Sequence, residues 1–268
     1  MSSRVRPRNN SNENIPPKKK ARLMTDQAVQ TLTKNFTRKI NLSENVYNLG
    51  TITDMNQTSM DVRLSRKLVN DLKAIYKKSY EQSVEYVGST RFSVDNLRGT
   101  VKFNTPTQRT NNNFKKVAPS FDDLKAYIVY HTHPVPSTFV TTYVTLPSIY
   151  DFTAYIEYYP YVQANIILEK HGYYVIDLIE SDRFKKSNPN EVFNFFIKEV
   201  YKKAKFKNAS TTYKGIEFFK ASPESLQRVV NNYADPIMRR KYGISIRYYR
   251  YTELANITLL DRERIMIQ

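Results

Sequence analysis

The sequence predicts an α/β (α+β) fold, and three observations carry it. Leu64, Leu68, Val69, Leu72, Ile75 and Tyr76 repeat at helical spacing, which defines an amphipathic helix over about 65–81. Short β-prone runs follow it, such as Ser83-Val84-Glu85-Tyr86-Val87-Gly88 and Gly99-Thr100-Val101-Lys102-Phe103. A second helix signal opens at Pro147-Ser148, between further β-prone runs.

The elements follow in order. Residues 1–24 are rich in Ser, Asn, Pro, Arg and Lys, without apolar periodicity, and are expected to be a disordered basic tail. Within them Pro16-Pro17-Lys18-Lys19-Lys20-Ala21-Arg22 resembles a nuclear-import signal, so an intracellular, nuclear location is expected. A solvated tail that only improves solubility is the plainer alternative. Residues 25–58 read as one short helix and then loop, so the tail is drawn over 1–58.

A folded domain is expected over 59–182. After the first helix and two strands, residues 104–122 read as a long polar loop. Leu124 to His133 alternates like a strand, a helix runs from Pro147-Ser148 to about Tyr159, and strands at 164–169 and 173–179 flank a Lys170-His171-Gly172 turn. After Ser181 the texture changes. A helix over 190–206 carries an aromatic face, a short helix follows Pro223, and 242–260 is β-prone. Residues 183–268 are read as a C-terminal extension.

Composition narrows the chemistry. The chain of 268 residues has no cysteine, which excludes disulfides, iron–sulfur clusters, cysteine-based zinc fingers and a thiol nucleophile. It has three histidines, so any metal site combines few imidazoles with carboxylates. No apolar run approaches the roughly 18 residues of a membrane span, and no secretory signal is expected at the polar N-terminus. The net charge is +17 and the pI about 9.7. Residues 1–40 hold ten Lys/Arg against Glu13 and Asp26, so +8 is local and +9 falls on the rest. Both parts attract polyanions.

The sharpest motif is His131-Thr132-His133-Pro134. Side chains alternate along a strand, so the two imidazoles share a face and can reach one ion. The third ligand is then a carboxylate or His171, although His171 beside Gly172 reads as an ordinary turn residue. Ser148 falls at a helix start, with Asp151 in its first turn. Such a Ser-x-x-Asp is by itself an ordinary capping box. Upstream, Glu85 on a strand offers a carboxylate to take a proton from metal-bound water, with Glu81 as a competing candidate.

The order of Glu85, the His-x-His strand and Ser148-x-x-Asp151 resembles the JAMM/MPN+ (JAB-domain) zinc metalloproteases, over roughly residues 60–180. The resemblance implies a mixed β-sheet flanked by helices. It implies zinc on His131, His133 and Asp151, Glu85 as general base, and Ser148 as the hydroxyl that stabilises the oxyanion. It also implies a hydrolase acting on isopeptide bonds of ubiquitin or ubiquitin-like conjugates, or on another protein substrate. One departure stands out. Residues 134–147 separate His133 from Ser148, twice the family's seven, and strict spacing would fall on Thr141 and Val144. The motif therefore requires an insertion within 135–146 to bulge out, which long loops tolerate.

Arg239-Arg240-Lys241-Tyr242 and Arg247-Tyr248-Tyr249-Arg250-Tyr251 interleave cations with aromatics. They read either as a nucleic-acid contact, complementing the basic tail, or as a β-strand with Ile244, Ile246, Tyr248 and Arg250 on one face and Tyr249 and Tyr251 on the other. The leading expectation is a JAMM-type zinc isopeptidase. The alternative is an inert JAMM-like scaffold that binds nucleic acid or a protein complex.

Overall fold

The computed structural model describes residues 46–48, 50–55, 59–90, 92–95, 100–104, 109–111, 127–135, 143–159, 162–184, 186–204, 211–213 and 216–260. The basic stretch 1–24, with its import-like run, lies outside the described residues.

Strands β1 (Val46–Asn48) and β2 (Gly50–Met55) occupy a stretch expected to be helix and loop. They belong to hydrogen-bonded ladders, one of which closes on a strand far along the chain. β2 pairs with β3 (Ser59–Leu64), and β3 pairs in turn with β15 (Asn256–Leu260). Local sequence cannot announce such a partner.

Helix α1 (Arg66–Gln82) starts where Ser65 accepts a hydrogen bond from the Leu68 N–H at 3.2 Å. It buries Leu68, Val69, Leu72, Ile75, Tyr76 and Ser79, the face its periodicity predicts. It stops at Ser83, which adopts a left-handed φ of 53°. There follow β4 (Glu85–Thr90), β5 (Phe92–Asp95), β6 (Thr100–Asn104) and β7 (Arg109–Asn111). β7 lies inside the expected polar loop, where it pairs with β4. Next come β8 (Tyr127–Thr132), β9 (Tyr143–Thr145), α2 (Ile149–Tyr158), β10 (Val162–Leu168) and β11 (Gly172–Leu178).

The C-terminal part holds α3 (Ser181–Phe184), α4 (Pro189–Ala204), β12 (Thr211–Tyr213), β13 (Ile216–Lys220) and α5 (Pro223–Val229). A π-helical turn (Val230–Ala234) leads into α6 (Asp235–Tyr242), β14 (Ile244–Arg250) and β15.

The central sheet is mixed, in the order β14-β11-β10-β8-β4-β7. Within it β8 and β10 are parallel, and the other pairs are antiparallel. A parallel pair needs a crossover, and α2 lies within it. Both sheet faces are covered. α1 and the β15-β3 ribbon bury Ile128, Tyr130, Ala164, Ile166 and Val175 on one side. α2, α4, α5 and α6 bury Ile167, Tyr174, Ile176, Ile246 and Tyr248 on the other. β10 and β11 are consequently buried at every position, and their sequences read as continuous apolar runs with few interruptions. Each fully buried aromatic anchor, such as Phe152 or Phe196, contributes about 1.5–3 kcal/mol through burial.

Candidate metal centre

His131 is the penultimate residue of β8. The β8–β10 ladder continues one step beyond the strand, because the His133 N–H donates to the Leu168 carbonyl at 2.8 Å. His133 therefore keeps the strand's alternation and faces the same side as His131. Thr132, between them, faces the α1 side. Neighbours in register share a face, so Val87, paired with His131, brings Glu85 to the same face two residues earlier. Ile167, also paired with His131, does the same for Asn165.

From the other side comes α2. Ser148 is its N-cap, with extended backbone angles of −89° and 169°. The Ser148 N–H donates to Asp151 Oδ2 at 2.5 Å, the capping interaction expected of this spacing. The second carboxylate oxygen remains available. Asp151 Oδ1 lies 2.8 Å from His131 Nε2, and Oδ2 lies 3.6 Å from His133 Nε2. The two Nε2 atoms are 3.1 Å apart. His133 and Asp151 are buried at 5% and 6% exposure, so the group is largely shielded from solvent.

This geometry suits one small metal ion. Two imidazoles on a tetrahedral zinc, with Zn–N near 2.05 Å, hold their nitrogens roughly 3.3 Å apart. The observed 3.1 Å, with oxygens at 2.8 and 3.6 Å, brackets that requirement. All the donor atoms lie within 4.8 Å of one another. Three such donors would leave the fourth position of a tetrahedral ion open.

Electrostatically the three groups form an ion-paired cluster. Burial alone would raise the Asp151 carboxyl, but the two imidazoles outweigh it and hold it well below the usual range. Burial would lower His131, but Asp151 and the charge of Glu85 outweigh it and raise it, with a smaller contribution from the neighbouring Asn165 side chain. Burial pushes Glu85 up, an effect partly offset by His131 and His133 and reinforced by Asp151. Glu85 thus faces the group electrostatically without belonging to it.

The structure brings His131, His133 and Asp151 together and sets Glu85 and Ser148 around them. It separates the alternatives. Glu81 is exposed on α1 and pairs with Lys77 at 3.7 Å. His171 lies in the β10–β11 turn, where its N–H donates to Glu169 Oε1 at 3.0 Å. Val144, the position that strict spacing would demand, is a fully buried core residue of β9. The long connection between His133 and Ser148 thus contains a strand, and β9 pairs antiparallel with β13.

Three supporting residues were not singled out from sequence. Asn165 is a polar residue in the apolar run Ala164-Asn165-Ile166-Ile167-Leu168, and that interruption was its signal. Thr132 and Ser79 carried none, because the two hydroxyls that meet are 53 residues apart in the chain. No protein family matches the chain, and neither a curated protein nor a solved structure matches it.

Proposed function

We propose that the chain is a zinc-dependent peptidase of the JAMM/MPN+ type, hydrolysing an isopeptide or related amide bond of a protein substrate such as a ubiquitin-like conjugate. The observation that supports it most is the convergence of His131, His133 and Asp151, with Glu85 held beside them. A zinc ion bound there supplies a Lewis acid that activates water and polarises the scissile carbonyl. Glu85 takes the proton of the attacking water and passes it to the leaving amine. Its half-buried position raises its carboxyl above the ordinary range and makes it a stronger base than a fully solvated carboxylate. Asp151 stays ionised, and its bond to the Ser148 N–H fixes its direction. The Ser148 hydroxyl donates to the developing oxyanion.

The test is zinc content and cleavage of ubiquitin conjugates by the parent and by Glu85→Gln. The parent is expected to hold one zinc and to cleave. The variant is expected to keep zinc and to lose on the order of 10²–10⁴ in rate. A parent that takes up no zinc when supplied overturns the reading. Zinc without any cleavage favours the scaffold alternative, and a variant as active as the parent removes Glu85 from its role.

A further inference from the structure

On the α1 side of the sheet, opposite the face that carries the imidazoles, lies a cavity of about 400 Å³ whose lining includes Lys73, Tyr76, Lys77, Tyr80, Lys170 and Tyr251. We propose that this cavity binds an unpaired nucleotide of single-stranded nucleic acid, with the base against the tyrosine rings and the flanking phosphates on the lysines.

Three features support that occupant. The first is the residue set. The lining combines three lysines with three tyrosines and contains no carboxylate. Aromatic faces that accept any base, rimmed by cations that track a phosphate backbone, form the usual platform for single strands. The second is placement. Asn70, Lys73, Ala74, Lys77 and Tyr80 share one stripe of α1, at three- and four-residue steps, and all face the cavity. Lys170 reaches in from the β10–β11 turn and stands 5.7 Å over the Tyr80 ring, while Lys73 stands 5.9 Å over Tyr251. The small side chain of Ala74 leaves room between them. The third is charge. Lys77 pairs loosely with exposed Glu81 at 3.7 Å. The neighbouring Glu169 is fully buried, with its carboxylate accepting from Tyr248 and from the His171 N–H. The cavity wall is thus built of tyrosine rings and lysine stems, and lysines are the only charged side chains that line it, on a chain of net charge +17.

The Tyr- and Arg-rich strand near the C-terminus is mostly spent on the fold. Tyr248 is fully buried in β14, and Arg247 pairs with buried Asp177. Tyr251, just past β14, belongs to the cavity. The inference stands independently of the metal site.

The experiment measures binding of a short fluorescent oligothymidylate to the full chain by anisotropy. The variants are Tyr80→Ala, Tyr80→Phe and the double change Lys73→Glu/Lys170→Glu, all with the N-terminal basic stretch intact and with unchanged circular dichroism. Tyr80→Ala is expected to weaken binding on the order of tenfold, while Tyr80→Phe stays within about twofold of the parent, since stacking needs only the ring. The charge reversals are expected to weaken it on the order of tenfold or more and to flatten the salt dependence by about 0.7 for each phosphate no longer held. A parent that does not bind overturns the proposal. So do variants that all bind like the parent, which would assign binding to the N-terminal stretch. Displacement by poly-glutamate as effective as by unlabelled oligothymidylate also overturns it, in favour of an acidic polypeptide.

Discussion

Thr132 Oγ1 lies 2.6 Å from Ser79 Oγ and accepts a hydrogen bond from the Tyr86 N–H at 2.8 Å. Ser79 in turn donates to the Val84 carbonyl at 2.6 Å, so Thr132 is the donor to Ser79. A residue lying between the two histidines thereby ties the end of β8 to the last turn of α1 and to the start of β4. Glu85 sits inside that knot, between the bonded carbonyl of Val84 and the bonded N–H of Tyr86.

Thr132→Val keeps the side-chain shape and removes the hydroxyl. It strands the Tyr86 N–H in a buried position, and urea unfolding is expected to show a loss of about 1–3 kcal/mol. On the proposed mechanism, zinc content should stay at the parent's level while cleavage falls, because Glu85 moves and His131, His133 and Asp151 do not. Unchanged stability would mean that the knot does not hold β4.

Asp151 both caps α2 and lies against His131, and two variants separate the tasks. Asp151→Asn can still accept from the Ser148 N–H but lacks the charge that balances two imidazoles. It should lose zinc with little change in stability of the metal-free protein. Asp151→Ala should lose zinc and also about 1 kcal/mol of stability with the cap. Metal analysis beside thermal unfolding in chelator distinguishes them, and zinc retained by both variants would remove Asp151 from the ligand set.

Glu169 is fully buried among tyrosines, and burial pushes it up to about 7, against the bonds from Tyr248 and the His171 N–H. The folded protein therefore holds this proton in a range where the unfolded chain has released it. Stability from this group is present below the ordinary carboxylate range and is lost as pH rises from about 4.5 to about 7. The loss is at most about 3 kcal/mol. Glu169→Gln should remove that slope and be more stable than the parent at roughly pH 8 in chelator. Equal pH profiles for the two proteins would contradict the assignment.

Gly172 opens β11 against β14, and a methyl group there would run into the backbone carbonyl of Tyr249 and the ring of Tyr248. A backbone atom cannot step aside as a flexible side chain can. Gly172→Ala is expected to destabilise the chain by about 1–3 kcal/mol, read as a lower urea midpoint. A midpoint equal to the parent's would show that β14 can shift without cost.

Where neighbours along the chain decide the outcome, the sequence was legible. α1 follows directly from Leu68, Val69, Leu72, Ile75 and Tyr76, and its observed bounds lie one residue from those expected. β8 with His131 in it and His133 just past its end, α2 behind Ser148, and the β10–β11 hairpin follow in the same way. β2 and β3 form a local hairpin in a stretch that carries no clear strand signal, the outer partner of β3 is the distant β15, and β7 is a run of only three residues. In the candidate site, the grouping of His131, His133 and Asp151 could be read because strand alternation and helix capping are local rules. The wider spacing between His133 and Ser148 left open whether Asp151 would arrive. That depended on β9 pairing with β13, which no local pattern expresses.

The closing strands impose an order of assembly. β11 is paired on one edge by its neighbour β10, but its other edge waits for β14, and β3 waits for β15 nearly the whole length of the described chain away. Until residues 244–260 have been synthesised, the ribosome presents a half-built sheet with open hydrogen-bonding edges and an uncovered apolar face. Pairing of such sequence separation is slow, and open edges invite association with other nascent chains. The chain should therefore depend on protection during translation, and its yield should respond to chaperone supply and growth temperature more than its final stability would suggest.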